Sequence, residues 1–143
     1  MMLIYAAATT SLFSILQSSP KRAVFISGVI GAAGYGIYYF LAGFANMQLT
    51  AYFVSAFFIA VGGEIASRVK KMPSIVFISP SFVPIVPGLG LFDTLFMLVN
   101  GQYTEAVQTG ANTMMAIVMM AMAVAVVALV VKMVYGGNSN TIS

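Results

Sequence analysis

The chain has 143 residues, 61% of them hydrophobic and 6% charged, with six Lys or Arg against three Asp or Glu. Soluble domains are about 25% charged, so the composition excludes a water-soluble fold and points to an all-α integral membrane protein. With no histidine and no cysteine, the commonest metal ligand, the commonest general base, a thiolate nucleophile and a disulfide framework are all missing, so an enzyme, a metal site and a cofactor are not expected. The net charge of +3 is read as a topology signal in a lipid bilayer, with no nucleic-acid partner.

Residues 1–17 form an apolar run with small polar residues (Thr9, Thr10, Ser11, Ser14). It lies at the short end of the spanning range of about 17–25 residues. A signal peptide is the alternative, but no positive n-region precedes the run and no good small-residue cleavage site follows it. Ser18, Ser19 and Pro20 break the helix, and Lys21 and Arg22 follow.

Residues 23–45 are the second span. Gly28, Ala32 and Gly36 recur at every fourth position, a spacing that lets another helix approach closely. Helix packing is the preferred reading, and a glycine-lined substrate path stays open. After an uncharged loop, residues 51–67 are the third span, closing in Gly62, Gly63 and Glu64 before Arg68, Lys70 and Lys71. Glu64 and Arg68 stand in the favoured order for a helical ion pair, while a role for Glu64 in proton or substrate coupling remains the other reading.

The fourth segment, residues 74–99, is long and apolar enough to enter a bilayer, yet it carries Pro80, Pro84, Pro87, Gly88 and Gly90. Proline removes a backbone donor and clashes with the carbonyl four residues back. Three prolines in this window predict two half-helices with a break between about Pro80 and Gly90. Broken backbone at membrane depth persists only where protein or a water-filled cavity satisfies it, and such breaks recur at transporter substrate sites. Asp93 lies in the apolar run LGLFDTLFML, where a carboxylate is costly and points to function.

Residues 105–134 form the last helix. Its first turns hold Gln108, Thr109, Gly110, Asn112 and Thr113, and the remainder is Met, Ala and Val. Met114, Met115, Met119, Met120 and Met122 read as a soft packing surface. The tail, residues 136–143, is Gly, Asn, Ser and Thr and reads as disordered. One transmembrane domain over residues 1–135, of about five helices with the fourth broken, is therefore expected. With five crossings every positive residue falls on one side, which should be cytoplasmic. The N-terminus is then outside and the C-terminus inside. A re-entrant fourth segment would strand Lys132 outside.

The order of these features resembles the threonine/serine exporter family. The residues that carry it are the short first span ending in Lys21 and Arg22, the Gly-rich GVIGAAGYG, the third span closing in basic residues, Pro73 after them, and the core FVPIVPG over residues 82–88. An aromatic usually follows the VPG turn in the family, and Phe92 fills that place only loosely. More narrowly, the chain looks like the short, split-off subunit that corresponds to the C-terminal half of the fused exporters. The resemblance implies export of small amino acids or carboxylates, threonine and serine in fused members and a dicarboxylate such as succinate in a split system. It also implies the plasma membrane of a bacterium and a larger partner subunit with a cytosolic domain ahead of its own membrane helices.

The candidate substrate-binding residues are Ser79, Ser81, Pro84, Pro87, Gly88, Gly90, Asp93 and Asn112. The prolines and glycines shape the break. A half-helix beginning near Gly88 offers free N–H groups and partial positive charge to a carboxylate. Ser79 and Ser81 add hydroxyls, although membrane serines often bond their own backbone. Asp93 can hold a substrate ammonium, carry a coupling proton, pair with a basic residue of the partner or serve as a purely structural, hydrogen-bonded residue; with Glu64 it makes up the coupling candidates. Asn112 can contact substrate or bridge helices. The competing class is a non-transporting membrane scaffold or assembly subunit whose broken helix only fits its partner. For the topology, Ser139→Cys in this cysteine-free chain should resist an impermeant thiol reagent added to intact cells and react after permeabilisation.

Overall fold

The computed structural model describes residues 2–17, 20–45 and 48–136, and the side chains of most of them. Six helices follow one another: α1 (Met2–Leu16), α2 (Lys21–Ala45), α3 (Gln48–Lys70), α4 (Ile75–Phe82), α5 (Gly88–Val99) and α6 (Tyr103–Gly136). No strand occurs among the described residues. Three stretches, Ala23–Gly43, Gln48–Lys70 and Tyr103–Tyr135, are long and apolar enough to cross a membrane, while α1 and α5 are shorter apolar helices. The tail expected to be disordered lies outside the described residues, except that α6 continues through Gly136.

The interior is built from small residues. Ala23, Ala51, Ala56, Ala60, Ala106, Ala116 and Ala123 are buried, whereas Phe25, Phe40, Phe58, Leu95, Leu129 and Met133 face outward. In lipid the apolar solvent gives large side chains no reason to turn inward, so close backbone approach and van der Waals packing hold the helices. Glycines set that approach. A Cβ on Gly28 would lie 2.7 Å from Ser11 Oγ of α1. On Gly34 it would run into Ile59 of α3, and on Gly63 into Ile78 of α4. The glycine face of α2 is thus used inside the chain, at least at Gly28. Two of the buried hydroxyls are satisfied within their own helices: Thr10 donates to the Ala6 carbonyl at 2.8 Å and Ser55 to the Ala51 carbonyl at 2.7 Å.

These contacts fix the helix directions. Thr10 faces Gly31, Gly34 faces Ile59, and Thr94 faces Gly110, so α1/α2, α2/α3 and α5/α6 are antiparallel pairs. Along α3 and α6, by contrast, Gln48 to Tyr52 share a cavity with Asn112 to Ala116, Ala56 and Ile59 pack with Met120 and Ala123, and Arg68 meets Tyr135. Helices α3 and α6 therefore run parallel, and α4 and α5 together carry the chain from one end of the bundle to the other. Ala23, Ala66 and Phe77 share one cluster. The start of α2 thus lies at the same end as the close of α3, and Lys132 of α6 lies there too.

The break is complete but narrower than expected. Pro80 sits inside α4, fully buried, and Gly90 inside α5; the non-helical stretch is residues 83–87. One proline late in a short helix costs a single ladder bond. Pro84 and Pro87 then delete the two donors that would have reached the carbonyls of Pro80 and Val83. The chain tightens instead: Val83 N–H donates to the Pro80 carbonyl at 3.3 Å, Ile85 N–H to Phe82 at 2.9 Å and Gly88 N–H to Val86 at 2.7 Å. Ile85, only 3% exposed, plugs this turn into a core with Ala56, Ile59, Met120 and Ala123. Forcing a side chain between α3 and α4 should cost about 1–3 kcal/mol. Gly63→Leu should therefore lower the unfolding midpoint in detergent, whereas Gly43→Leu, whose Cβ would meet nothing within 4 Å, should not.

Candidate functional site

A cavity of about 620 Å³ opens against the break. One wall is the turn itself, Pro84 to Pro87, continued by Leu89 and Gly90 of α5. The opposite walls are Tyr35 and Tyr38 of α2, Gln48 to Thr50 and Tyr52 of α3, and Asn112, Thr113 and Ala116 of α6. None of the lining residues is charged. Tyr38 Oη donates to Tyr52 Oη at 3.1 Å, with ring centroids 4.7 Å apart, and the Tyr35 and Tyr38 rings follow at 6.3 Å. Thr113 Oγ1 donates to the Thr109 carbonyl at 2.8 Å, which leaves its lone pairs as acceptors.

The first turn of α5 completes this polar set. Its Gly88 N–H is turned back on Val86, and the ladder resumes only where Leu91 N–H reaches the Pro87 carbonyl at 3.3 Å. Among the described residues no acceptor takes the N–H of Leu89 or Gly90, both of which line the cavity. These groups carry the positive end of the helix dipole. The cavity is therefore lined by phenol and amide side chains and by two residues whose backbone N–H groups have no acceptor among the described residues, the kind of donor suited to a carboxylate.

Of the expected site residues, Pro84, Pro87, Gly90 and Asn112 meet at this cavity. Gly88 begins α5 but is exposed and outside the lining. Ser79 accepts from Gln17 Nε2 at 3.3 Å, which ties α4 to α1. Ser81 is fully buried; its hydroxyl bonds the Phe77 carbonyl at 2.7 Å and the Ser27 carbonyl at 3.0 Å, so it holds α4 to α2 away from the cavity. Asp93 lies exposed on α5. Glu64 lines a second groove of about 210 Å³ between α3 and α6, with Val61, Ile65, Val127 and Val131. No ion pair joins it to Arg68 among the described residues. The Arg68 guanidinium lies 3.5 Å from the Tyr135 ring centroid instead, where a face of the aromatic quadrupole holds the cation. Sequence reasoning missed Tyr35, Tyr38, Tyr52 and Gln48. Their signal was a cluster of tyrosines and polar residues on both sides of the α2–α3 loop.

A bundle of apolar helices with a broken segment and a polar cavity against the break is an arrangement that recurs at transporter substrate sites. The family model for the threonine/serine exporter, ThrE, matches residues 2–130. The chain belongs to the threonine/serine exporter family, a transporter family and not an enzyme family, and has a membrane location and a threonine/serine exporter-type transport role. No curated protein and no solved structure matches it. The absence of native cysteines makes the cavity directly testable. Asn112→Cys should react with a small water-soluble thiol reagent, and Ala123→Cys, fully buried, should stay unmodified under the same exposure.

Proposed function

We propose that this chain is one membrane subunit of a secondary exporter for small amino acids or carboxylates, acting with a larger partner subunit that carries a cytosolic domain. The observation that supports it is the cavity at the break, which Leu89 and Gly90, with N–H groups that no acceptor takes among the described residues, line together with Asn112 and the tyrosine pair. Its lining has hydrogen-bonding groups but no side-chain charge. That suits a zwitterion such as serine or threonine better than a dicarboxylate, whose second negative charge would find no cation there. In this reading the half-helix end takes the carboxylate, and Asn112 and the tyrosines take the hydroxyl and ammonium. The basic ends of α2, α3 and α6 face the cytoplasm, in the plasma membrane of a bacterium.

Of the two carboxylates with a possible coupling role, Glu64 is the half-buried one, set among valines and isoleucines between α3 and α6. It is the better candidate for the proton carrier. The test is efflux from preloaded native membrane vesicles, with and without an imposed pH gradient, at matched expression. Asn112→Leu should lower serine or threonine efflux by about tenfold or more, because a polar site rejects what it no longer pairs. Glu64→Gln should leave downhill efflux in place and abolish its response to the pH gradient. Unchanged rates for Asn112→Leu would favour the non-transporting scaffold.

A further inference from the structure

Helix α5 is caught between two solvents. Among the described residues it packs on α6 alone and contains no buried residue. Its α6 face is Gly90, Thr94 and Met97, with Gly90 opposite Thr113, Thr94 opposite Gly110, and Thr109 Oγ1 donating to Met97 Sδ at 3.6 Å. On the flank beside that face, Leu89, Asp93, Phe96 and Asn100 follow at helical spacing, all exposed, Leu89 at 80%. Phe92 stacks on Phe96 at 6.1 Å beside them. Asp93 makes no hydrogen bond and no ion pair among the described residues. If this stretch lies in hydrocarbon, the carboxylate is exposed to lipid at high cost. If it projects into water, as the start of α6 some nine residues or about 13 Å before Asn112 allows, then Leu89, Phe92, Leu95 and Phe96 are stranded. Neither solvent suits the helix.

We infer that the Leu89–Asp93–Phe96–Asn100 stripe is the docking face for a membrane helix of a different chain, which brings a Lys or Arg to Asp93. Charge decides the occupant. All six basic residues of this chain lie at the opposite end of the bundle, where α2 begins and α3 and α6 close. A second copy in the same membrane orientation therefore brings no cation to Asp93. Continuity with the cavity supports the same face. Leu89 lines the cavity and begins the stripe, so a helix laid along it also closes the cavity on its α5 side. The inference rests on the reading of the chain as a subunit of a heteromeric exporter and supplies that partner's contact chemistry.

The experiment uses a photo-crosslinking amino acid at Phe96 of the full chain in native membranes, with Phe58, exposed on α3, as control position. Mass spectrometry should identify an adduct from Phe96, absent from Phe58, whose peptide comes from another chain and carries Lys or Arg within one helical turn of the joined residue. Asp93→Lys should cut adduct yield by about tenfold or more, and an acidic residue at the identified partner position should restore it. Because Asp93→Lys can simply misfold, Asp93→Asn is run beside it and should give an intermediate yield; rescue of the charge swap itself shows the variant folded. Adducts only to this same sequence, adducts only to lipid, a partner peptide without a basic residue, or yields indifferent to Asp93 would each overturn the inference. Efflux is not a readout here, so a failed interface and a failed transport reading remain distinguishable.

Discussion

Two missing backbone donors shape this molecule. Pro84 and Pro87 cannot supply the N–H groups that would carry α4 into α5, and everything distinctive lies downstream of that gap. The turn needs an anchor, because irregular backbone inside a bilayer is tolerated only when it is held by protein. Ile85 provides the anchor by entering the core beside Ile59 and Met120. Once the turn is held, the two N–H groups that follow it have no carbonyl to meet, and the space beside them becomes a polar cavity. Pro80 shows that proline alone does not produce this result. It lies inside α4, where the helix tolerates it, and only the repetition three and four residues apart stops the ladder.

The packing around the break reverses what a soluble core would show. Alanine, glycine and back-bonded hydroxyls fill the interior, and the large side chains cover the outside. Such an interior has little apolar area to gain from burial, so its precision comes from how closely backbones approach. Glycines 34, 63 and 90 each occupy a place where a Cβ would meet a branched side chain of the next helix. The structure is therefore more sensitive to added volume at these positions than to loss of volume at its surface.

Much of this was legible in the sequence. Charge poverty gave the class, and the spacing of proline and glycine gave the broken segment and the start of α5 at Gly88. What was not legible depended on which side of a helix a residue occupies. Ser81 and Ser79 sit one turn before the break and looked equivalent to its prolines, yet helical rotation turns Ser81 toward α2 and Ser79 toward α1. The tyrosines were invisible for the converse reason. Tyr38 and Tyr52 are 14 residues apart and meet only because the α2–α3 hairpin folds them together. Glu64 and Arg68 had the spacing of an ion pair, but the competitor, Tyr135, comes from another helix and cannot be anticipated from local spacing.

The 34-residue length of α6 has a mechanical consequence. Its second half is gripped by α3 through Met120, Ala123 and the Arg68–Tyr135 contact, while among the described residues its first turns are held by α5 alone. It is a beam clamped at one end with a short crossbar at the other. From Met120 to Tyr103 the free arm is about 25 Å long, so a tilt of roughly 10° at the clamp displaces its tip by roughly 4 Å. Asn112 and Thr113 lie midway along that arm and would travel about half as far. A small angular change at the gripped end is therefore enough to alter the width of the cavity without unwinding any helix.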